Sequence, residues 1–415
     1  MNYNVANLLW QGLTGDRGWR AAWRSPKPKP HYDAVIIGGG GHGLATAYYL
    51  AKEHGKTNIA VLEKGWIGGG NTGRNTTNVR SDYMFPESAK MYNFALKLYE
   101  TLGKDLNYNI MLSQRGWLTL IHDQHQMEGA RHKANWLNCN GVDGQIIDKA
   151  RVEEMLPGLN VNDNPRFPVR GAFLQERGGT IRHDAVAWGY ARAADRLGVD
   201  IIQNCEVTGF DMADDQITAV NTSKGRVETG KVGVAVAGHS GVIAEKAGFR
   251  LPITSHCLQA MVSEPVKPFL DHVVISPGTG VYINQTQKGE MVMGGVLDHY
   301  NSYGQRGNFP TIEKVISSAV EMFPGFSELR LMRHWAGIVD ISPDSSPILG
   351  QTPVSNMYIN CGWGTGGFKA IPAGGYLLAE TIAKGVAPEM AQPFGLNRFR
   401  DNRLVDEGAA AGIAH

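Results

Sequence analysis

Apolar and polar positions follow the same order near both ends of this chain. From Asp33, the apolar run DAVII leads into GGGGHG and then into LATAYYLAKEHG, which has the period of a helix, and NIAVLEKG adds a second apolar run. Near the other end, MYINCGWGTGGFKAIPAGGYLLAETIAKG again gives an apolar run, a glycine loop and a helical pattern. Buried strands joined to helices by glycine turns are typical of a parallel sheet, so we predict a mixed α/β fold.

The middle of the chain changes its pattern twice, which predicts two interleaved lobes. We expect helices over 87–102, 127–137 and 183–197, and the stretch from 251 to about 325 is rich in strand patterns joined by polar turns. A length of 415 residues also favours more than one hydrophobic core. The predicted parts are an arm (1–30), a discontinuous nucleotide-binding lobe (31–95, 165–250 and 325–390), a smaller strand-rich substrate lobe (96–164 and 251–324) and a tail (391–415).

Charge and cysteine content exclude several classes of function. The chain has 40 Lys and Arg against 39 Asp and Glu, a net charge of +1, and this balance gives no field that would attract nucleic acid or an anionic membrane. The four cysteines show neither CxxC pairs nor metal-ligand spacing, and no apolar run is long enough to cross a bilayer. We therefore expect a cytoplasmic protein without a metal site.

The first 30 residues resemble an arm more than part of a core. They contain Trp10, Trp19 and Trp23 and end in an alternating Lys-Pro run that favours an extended backbone. Because three tryptophans are costly to leave in water, we expect this arm to dock on a partner subunit. A frayed terminus and an amphipathic transit peptide are the alternatives.

A dinucleotide site is predicted at the first glycine turn. Gly38, Gly40 and Gly43 form GxGxxG between a strand and a helix, where backbone amides and the helix N-terminus can bind a pyrophosphate. Glu63 follows the second strand 20 residues after Gly43, the position of a carboxylate that accepts hydrogen bonds from ribose hydroxyls. This Rossmann-like unit binds NAD or FAD, and the motif alone does not decide between them.

The segment GWIGGGNTGRNTTNVRSDY, which begins two residues after Glu63, favours FAD. Its glycines, with Asn71, Thr76 and Thr77, suit contacts with the phosphates and rings of a flavin, and Arg74 adds positive charge. Arg80 is the candidate clamp for a substrate carboxylate, because the guanidinium presents a planar pair of donors; a solvated surface arginine is the alternative.

These motifs are similar to those of the FAD-dependent amine and amino-acid oxidase superfamily, which includes D-amino-acid oxidase and glycine oxidase. The resemblance covers residues 32 to about 390 and includes AVAGHSGVIAEKAG, WAGIVDISPDSSPILG and CGWGTGGFK. A closer resemblance, through LEKGWIGGGNTGRNTT, HDAVAWGYARAA and GVDIIQNCEVTGF, is to the beta-subunit family of heterotetrameric sarcosine oxidases. It implies a D-amino-acid-oxidase-like fold and oxidation of sarcosine, N-methylglycine.

The resemblance also implies the cofactors and partners. It implies noncovalent FAD for sarcosine oxidation, and covalent FMN from which electrons reach oxygen to give hydrogen peroxide. Alpha, gamma and delta subunits are the implied partners, with NAD and tetrahydrofolate on the alpha subunit. The implied FAD contacts are Gly38, Gly40, Gly41, His42, Gly43, Glu63, Lys64, Asn71, Arg74, Thr76, Thr77, Val207, Gly364, Gly367 and Lys369.

Two positions carry most of the implied chemistry. His183 in GGTIRHDAVAW stands where the superfamily more often has proline before a helix. The resemblance implies that His183 bears the FMN. The structural alternative is a histidine that caps the helix. Lys369 in GTGGFK corresponds to the position that binds the substrate carboxylate in related oxidases, and a surface lysine is its alternative.

The sequence is also compatible with two other functional classes. One is a self-sufficient amino-acid oxidase or dehydrogenase with a single flavin, acting on glycine, proline or dimethylglycine. The other is a noncatalytic flavin-binding assembly subunit. The number of bound flavins and the reduction of FAD by sarcosine distinguish them.

Overall fold

The computed structural model describes residues 4–15, 17 and 21–405. Within them the α-helices are α1 (Val5–Leu13), α2 (Gly41–His54), α3 (Pro86–Asp105), α4 (Gln124–Cys139), α5 (Lys149–Met155), α6 (His183–Arg196), α7 (Ser240–Lys246), α8 (Phe309–Met322) and α9 (Ile371–Lys384). The strands are β1 (His31–Tyr32), β2 (Ala34–Ile37), β3 (Ile59–Leu62), β4 (Asn78–Val79), β5 (Trp117–Ile121), β6 (Gln145–Asp148), β7 (Gly171–Gln175), β8 (Gly179–Thr180), β9 (Asp200–Ile202), β10 (Val207–Ala213), β11 (Gln216–Thr222), β12 (Gly225–Thr229), β13 (Val232–Val234), β14 (Thr254–Pro265), β15 (Val273–Ser276), β16 (Val281–Gln285), β17 (Glu290–Asn301), β18 (Leu331–Ile341), β19 (Ile348–Gln351) and β20 (Met357–Cys361).

A six-stranded sheet of order β19-β20-β13-β2-β3-β9 forms the centre of the nucleotide-binding lobe. Its pairs are parallel except β19 with β20, and the residues of β2 and β3 are buried on both faces. Strands covered on both sides have unbroken apolar runs, which explains the patterns AVII and IAVL. The carboxyl ends of β2, β3, β13 and β20 therefore meet at one edge, where parallel sheets bind ligands.

Two layers cover this sheet. On one face, α2, α6 and α9 pack against alternate residues of the strands, with Ile36 and Val61 at the centre of that core. On the other face, the four-stranded sheet β1-β12-β11-β10 packs against Val35 and Ile37. Because side chains of a strand point alternately to its two faces, each strand contributes to both cores.

An eight-stranded sheet of order β18-β14-β17-β16-β15-β5-β7-β6 forms the second lobe. Its pairs are antiparallel except β15 with β5. One face is covered by α5, α8 and the turns beside them, where Leu118, Met261 and Ile283 are fully buried. The other face turns toward the nucleotide-binding lobe and forms a wall of the site described below.

This sheet extends beyond the bounds expected for the substrate lobe. Strand β7 lies within 165–250 and β18 within 325–390, both of which were expected in the nucleotide-binding lobe. In the opposite sense, Tyr99 and Leu102 of α3 pack in the core around α2 and α6, although 96–164 was expected in the substrate lobe. A buried apolar strand does not reveal which sheet it joins, because pairing depends on distant partners.

The described part of the N-terminal arm has two segments that behave differently. Helix α1 has no buried residue, and Leu8, Trp10 and Leu13 are each more than half exposed. Nearer the lobe, Arg24 and Lys29 form ion pairs of 3.2 and 2.7 Å with the buried Asp200. Trp19 lies outside the described residues. The arm is thus anchored on its own lobe after residue 23 and exposes an apolar helix before it.

The tail is held by a buried ion pair. Arg398 donates to both carboxylate oxygens of Asp344 at 2.8 and 2.9 Å, and Ser342 and the Val405 amide donate to the same carboxylate. Residues 406–415 of the tail lie outside the described part. Among the residues that the structure describes, no helix is long and apolar enough to cross a membrane.

Candidate active site

A cavity of about 650 Å³ lies between the two lobes. It begins at the carboxyl ends of β2 and β3, passes the N-terminus of α2 and ends between the C-terminal glycine loop and the eight-stranded sheet. The volume lies in the range of cofactor and substrate sites. The predicted site residues that line it are Gly38, Gly40, Gly41, His42, Glu63, Lys64, Asn71, Arg74, Thr76, Arg80, Val207, Gly364, Gly367 and Lys369.

The glycine turn leaves backbone amides at the cavity wall. Gly38 has a φ of +111°, and a Cβ there would lie 2.4 Å from the carbonyl oxygen of Ala235, so only glycine fits. A Cβ on Gly43 would lie 2.0 Å from the carbonyl oxygen of Gly38, which explains why the helix can approach the turn. Gly40 is the N-cap of α2 and provides no capping side chain. The helix N-terminus can therefore accept an anionic group from the cavity.

Glu63 sits directly after β3, beside this turn. Its carboxylate accepts hydrogen bonds from the Gly39 amide at 2.7 Å and the Gly65 amide at 2.8 Å. One backbone donor for each oxygen leaves a further acceptor position on each. The carboxylate thus fixes the loops on both sides and can still accept ribose hydroxyls.

Two of the predicted flavin contacts are bound to the protein itself. The Asn71 amide donates to the carbonyl of Ile338 and accepts from its backbone N–H at 2.9 Å. The Arg74 guanidinium donates to the carbonyls of Gly69 and Gly70 and to the Gln305 side chain. These side chains connect the 66–80 segment to strand β18 and its neighbouring loop, so a part of their role is to shape the wall.

Three predicted residues do not line the cavity. Gly43 acts through close packing, as described above. Thr77 has a φ of +70°, and its hydroxyl donates to the carbonyl of Thr76, so it shapes the loop. His183 is the first residue of α6 and lies outside the wall of this cavity.

His42 connects the glycine turn with the C-terminal glycine loop. One ring nitrogen, Nε2, lies 2.8 Å from the carbonyl of Gly367, and Nδ1 lies 3.2 Å from the Asn360 amide. The ring stacks on Trp363 at 4.9 Å between centroids. Burial lowers the pKa of His42 to about 4, so the ring is neutral, donates to Gly367 and accepts from Asn360.

Lys369 is a cation in an apolar, enclosed place. Its ammonium donates to the carbonyl of Thr365 at 3.0 Å, one turn earlier in the loop. Burial and the nearby Arg80 guanidinium lower the pKa of Lys369 to about 7. An anion beside it would restore the charged form, so Lys369 is suited to bind a carboxylate.

Arg80 lies between two aromatic rings at the same end of the cavity. The guanidinium carbon is 4.7 Å from the centroid of Tyr83 and 5.1 Å from that of Trp117, and Nη1 pairs with Asp82 at 2.5 Å. Burial disfavours the charge, but Asp82 outweighs this and raises the pKa of Arg80. The result is a permanent cation held in one orientation near Lys369.

The wall contains further residues that the sequence did not single out. Trp117 and Tyr282 come from the face of the eight-stranded sheet that points away from α8, and strand alternation could have identified them only if the sheet were known. Asp340 of β18 is buried, accepts from the Gly362 amide at 2.5 Å, and has its pKa raised to about 7 by burial. It fixes the start of the C-terminal glycine loop.

The surroundings of His183 differ from those of a capping residue. The N-cap of α6 is Arg182, which makes no side-chain capping bond, and the Nδ1 atom of His183 is buried without a hydrogen-bond partner. Burial lowers the pKa of His183, although the neighbouring Asp184 opposes this. The imidazole is therefore neutral and its buried nitrogen is unused by the protein.

Fold and cavity together define a flavin-dependent oxidoreductase, and comparison with known proteins agrees. The family described as DAO, FAD dependent oxidoreductase, matches residues 33–381, and the chain belongs to this family. The glycine turn, the N-terminus of α2 and Glu63 fit the pyrophosphate and ribose of FAD. The family match confirms the prediction of FAD over NAD.

Individual relatives of this chain narrow the comparison within the family. The sarcosine oxidase subunit beta of Rhodobacter capsulatus is 50% identical over 413 residues, covering 100% of this chain and 99% of that protein. The subunit of the same name from Rhizobium meliloti is 52% identical over 407 residues, covering 98% of each. Among solved structures, L-proline dehydrogenase from P. horikoshii has a TM-score of 0.84 at 26% identity and covers 91% of this chain and 100% of its own. The predicted resemblance to sarcosine oxidase beta subunits is confirmed.

Proposed function

We propose that this chain oxidises sarcosine as the beta subunit of a multi-subunit sarcosine oxidase. The observation that carries the proposal is a cavity that joins a dinucleotide cradle at Glu63 to a cationic end formed by Arg80 and Lys369. Homology at about half identity over the full chain length supports the substrate.

The cationic end is suited to an amino acid with one carboxylate. Asp82 raises the pKa of Arg80, so Arg80 stays charged, whereas the pKa of Lys369 is about 7 and Lys369 gains its proton when an anion arrives. The carboxylate of sarcosine would bind between these two groups. Trp117 and Tyr282 add aromatic surface to the wall of the cavity, which limits access of water and favours the neutral amine that oxidation requires. When bound, FAD supplies the two-electron acceptor, and the product is an imine.

We further propose that His183 carries a covalent FMN. Two observations support this: Nδ1 is buried and has no partner, and the low pKa keeps the ring neutral, as a nucleophilic imidazole must be. FMN attached there would supply an outlet for electrons to oxygen, with hydrogen peroxide as product. His183 also lies outside the FAD cavity, as a separate second cofactor requires.

The remaining parts of the proposal concern the complex. We propose alpha, gamma and delta subunits as partners, with NAD and tetrahydrofolate bound by the alpha subunit and the one-carbon unit of the imine transferred to that folate. Relatives named as beta subunits support a multi-subunit assembly. The exposed apolar face of α1 supports a docking role for the arm. A cytoplasmic complex accords with cysteines that are free of disulfides in the described chain.

The replacement His183→Ala tests the second cofactor. In the assembled enzyme we expect the variant to lose acid-stable flavin, measured from the colour of the acid-precipitated protein, while noncovalent FAD is retained because Glu63 and the glycine turn form a separate site. Sarcosine should still reduce that FAD anaerobically, but turnover with oxygen should fall sharply. His125→Ala, a histidine in the first turn of α4, is the matched control.

A yellow acid pellet from His183→Ala would show that the covalent link lies elsewhere. If the enzyme without substitutions binds one flavin per chain, that count would favour a self-sufficient amino-acid oxidase or dehydrogenase. Failure of sarcosine and other amino acids to reduce the FAD would favour a noncatalytic assembly subunit.

A further inference from the structure

A second cation stands behind Arg80 and shares its counter-ion. The two oxygens of Asp82 are divided between two partners: Oδ1 lies 2.5 Å from Nη1 of Arg80, and Oδ2 lies 2.6 Å from Nζ of Lys133. The side chain of Asp82 is fully buried. Lys133 reaches it from helix α4, and its ammonium lies 4.8 Å from the ring centroid of Phe173.

The three groups differ in their relation to the cavity. Arg80 borders it, whereas Asp82 and Lys133 lie behind Arg80 and outside the wall. A buried carboxylate needs partners on both oxygens, because an unpaired charge in a low-dielectric interior is costly. Burial alone would raise the pKa of Asp82, but Arg80 and Lys133 together lower it, so Asp82 is ionised.

The charge balance of this cluster depends on Lys133. With Lys133 present, two cations face one carboxylate, and a net charge of one remains to attract a substrate anion at Arg80. Without Lys133, Asp82 and Arg80 cancel. The freed oxygen of Asp82 would also turn toward the remaining donors, which are Arg80 and the nearby Lys369. Either effect withdraws positive charge from the place where the carboxylate binds.

We propose that Lys133 is a positioning residue for the substrate carboxylate: it holds Asp82 in place, so that Arg80 keeps both its orientation and its net positive charge toward the cavity. The inference rests on the proposed function, in which Arg80 and Lys369 bind a monocarboxylate. Lys133 itself does not line the cavity.

The pH dependence of binding should report this charge balance. The titratable and charged groups at this end come from several elements: Arg80, Asp82 and Tyr83 from the 80–83 segment, Tyr92 from α3, Lys133 from α4, Tyr282 from β16 and Lys369 from the C-terminal loop. Among these groups, Lys369 changes its charge near neutral pH. Asp340 of β18 also titrates near pH 7, but its contribution is common to the parent and the variant.

In the parent enzyme, affinity for an anion should fall as pH rises through the titration of Lys369 and then level off, because the Lys133–Asp82–Arg80 cluster keeps a net charge. In Lys133→Met it should level off at a lower affinity, because Asp82 then cancels the charge of Arg80.

The test uses the holoenzyme and methoxyacetate, a monocarboxylate of sarcosine's shape without the amine, with binding followed through the flavin spectrum. We expect Lys133→Met to weaken methoxyacetate binding and to raise the KM for sarcosine on the order of tenfold, a loss of about 1.4 kcal/mol, with kcat at saturation little changed. Lys133→Arg should restore the affinity because it keeps the charge. Arg131→Met, an exposed cation on the same helix, is the matched control and should change nothing.

Each outcome is decisive. Unchanged methoxyacetate affinity in Lys133→Met across the pH range would overturn the inference, as would equal losses in Lys133→Met and Lys133→Arg. If Lys133→Met does not fold, Lys133→Gln keeps most of the side-chain length and is measured in the same way. Failure of the parent enzyme to be reduced by sarcosine would instead refute the proposed function, and methoxyacetate binding separates the two failures because it needs no turnover.

Discussion

Replacement of Glu63 by glutamine should weaken FAD binding by a magnitude that the structure allows us to estimate. The carboxylate receives two backbone N–H groups, from Gly39 at 2.7 Å and from Gly65 at 2.8 Å. Glutamine offers one carbonyl oxygen and places an NH₂ group against the other amide. The bond lost to a backbone amide weakens the protein with and without FAD alike. The charge-assisted bonds to ribose hydroxyls exist only in the complex, and loss of their charge costs about 1.5–3 kcal/mol of binding.

We therefore expect the FAD dissociation constant of Glu63→Gln to rise by about 10- to 150-fold. Fluorescence titration of the apoprotein with FAD measures it, and Glu53→Gln on the outer end of α2 is the control, since that residue is exposed and pairs with Lys52. An unchanged dissociation constant would refute the assignment. A large loss of apoprotein stability without a change in affinity would show that Glu63 serves only the loops.

Three further predictions follow from other parts of the structure. Lys369→Met should raise the sarcosine KM or slow anaerobic flavin reduction by about 10- to 100-fold, the worth of a charge-assisted bond, and normal stopped-flow kinetics in the folded variant would contradict it. Arg398→Met should cost about 3–5 kcal/mol in urea unfolding because it leaves Asp344 buried and unpaired, whereas Arg400→Met at the surface should be nearly neutral. Deletion of 1–15 should leave the unfolding temperature unchanged, since Arg24 is retained, but reduce association with the partner subunits in gel filtration; an intact complex would exclude the docking role.

The dinucleotide half of the site could be predicted from local sequence because it is built from local sequence. The turn at Gly38, the helix that follows it and Glu63 lie within one strand–helix–strand unit, and the order of these elements fixes their relative positions. The structure places them as expected. The same holds for the C-terminal loop, whose Gly367 contacts His42 of the turn.

The substrate half depends on contacts between distant segments and could be predicted only in part. Arg80 was identified from its loop, but its partner Lys133 lies on a helix about fifty residues away, and no local pattern connects them. Helix α8 was missed within a stretch interpreted as strands, although Asn308 caps it and a proline stands at its start. The predicted boundaries of the two lobes were wrong for the same reason, since β18 pairs with β14 across some seventy residues.

The assignment of this cavity to sarcosine oxidation is tested most directly by mixing the purified holoenzyme with sarcosine without oxygen while the flavin absorbance is followed. We expect rapid loss of the oxidised FAD spectrum that saturates with sarcosine, with affinity that declines as pH rises through the titration of Lys369 near pH 7. An oxidised spectrum that persists at saturating sarcosine would contradict the assignment of Arg80, Lys369 and this cavity to sarcosine oxidation.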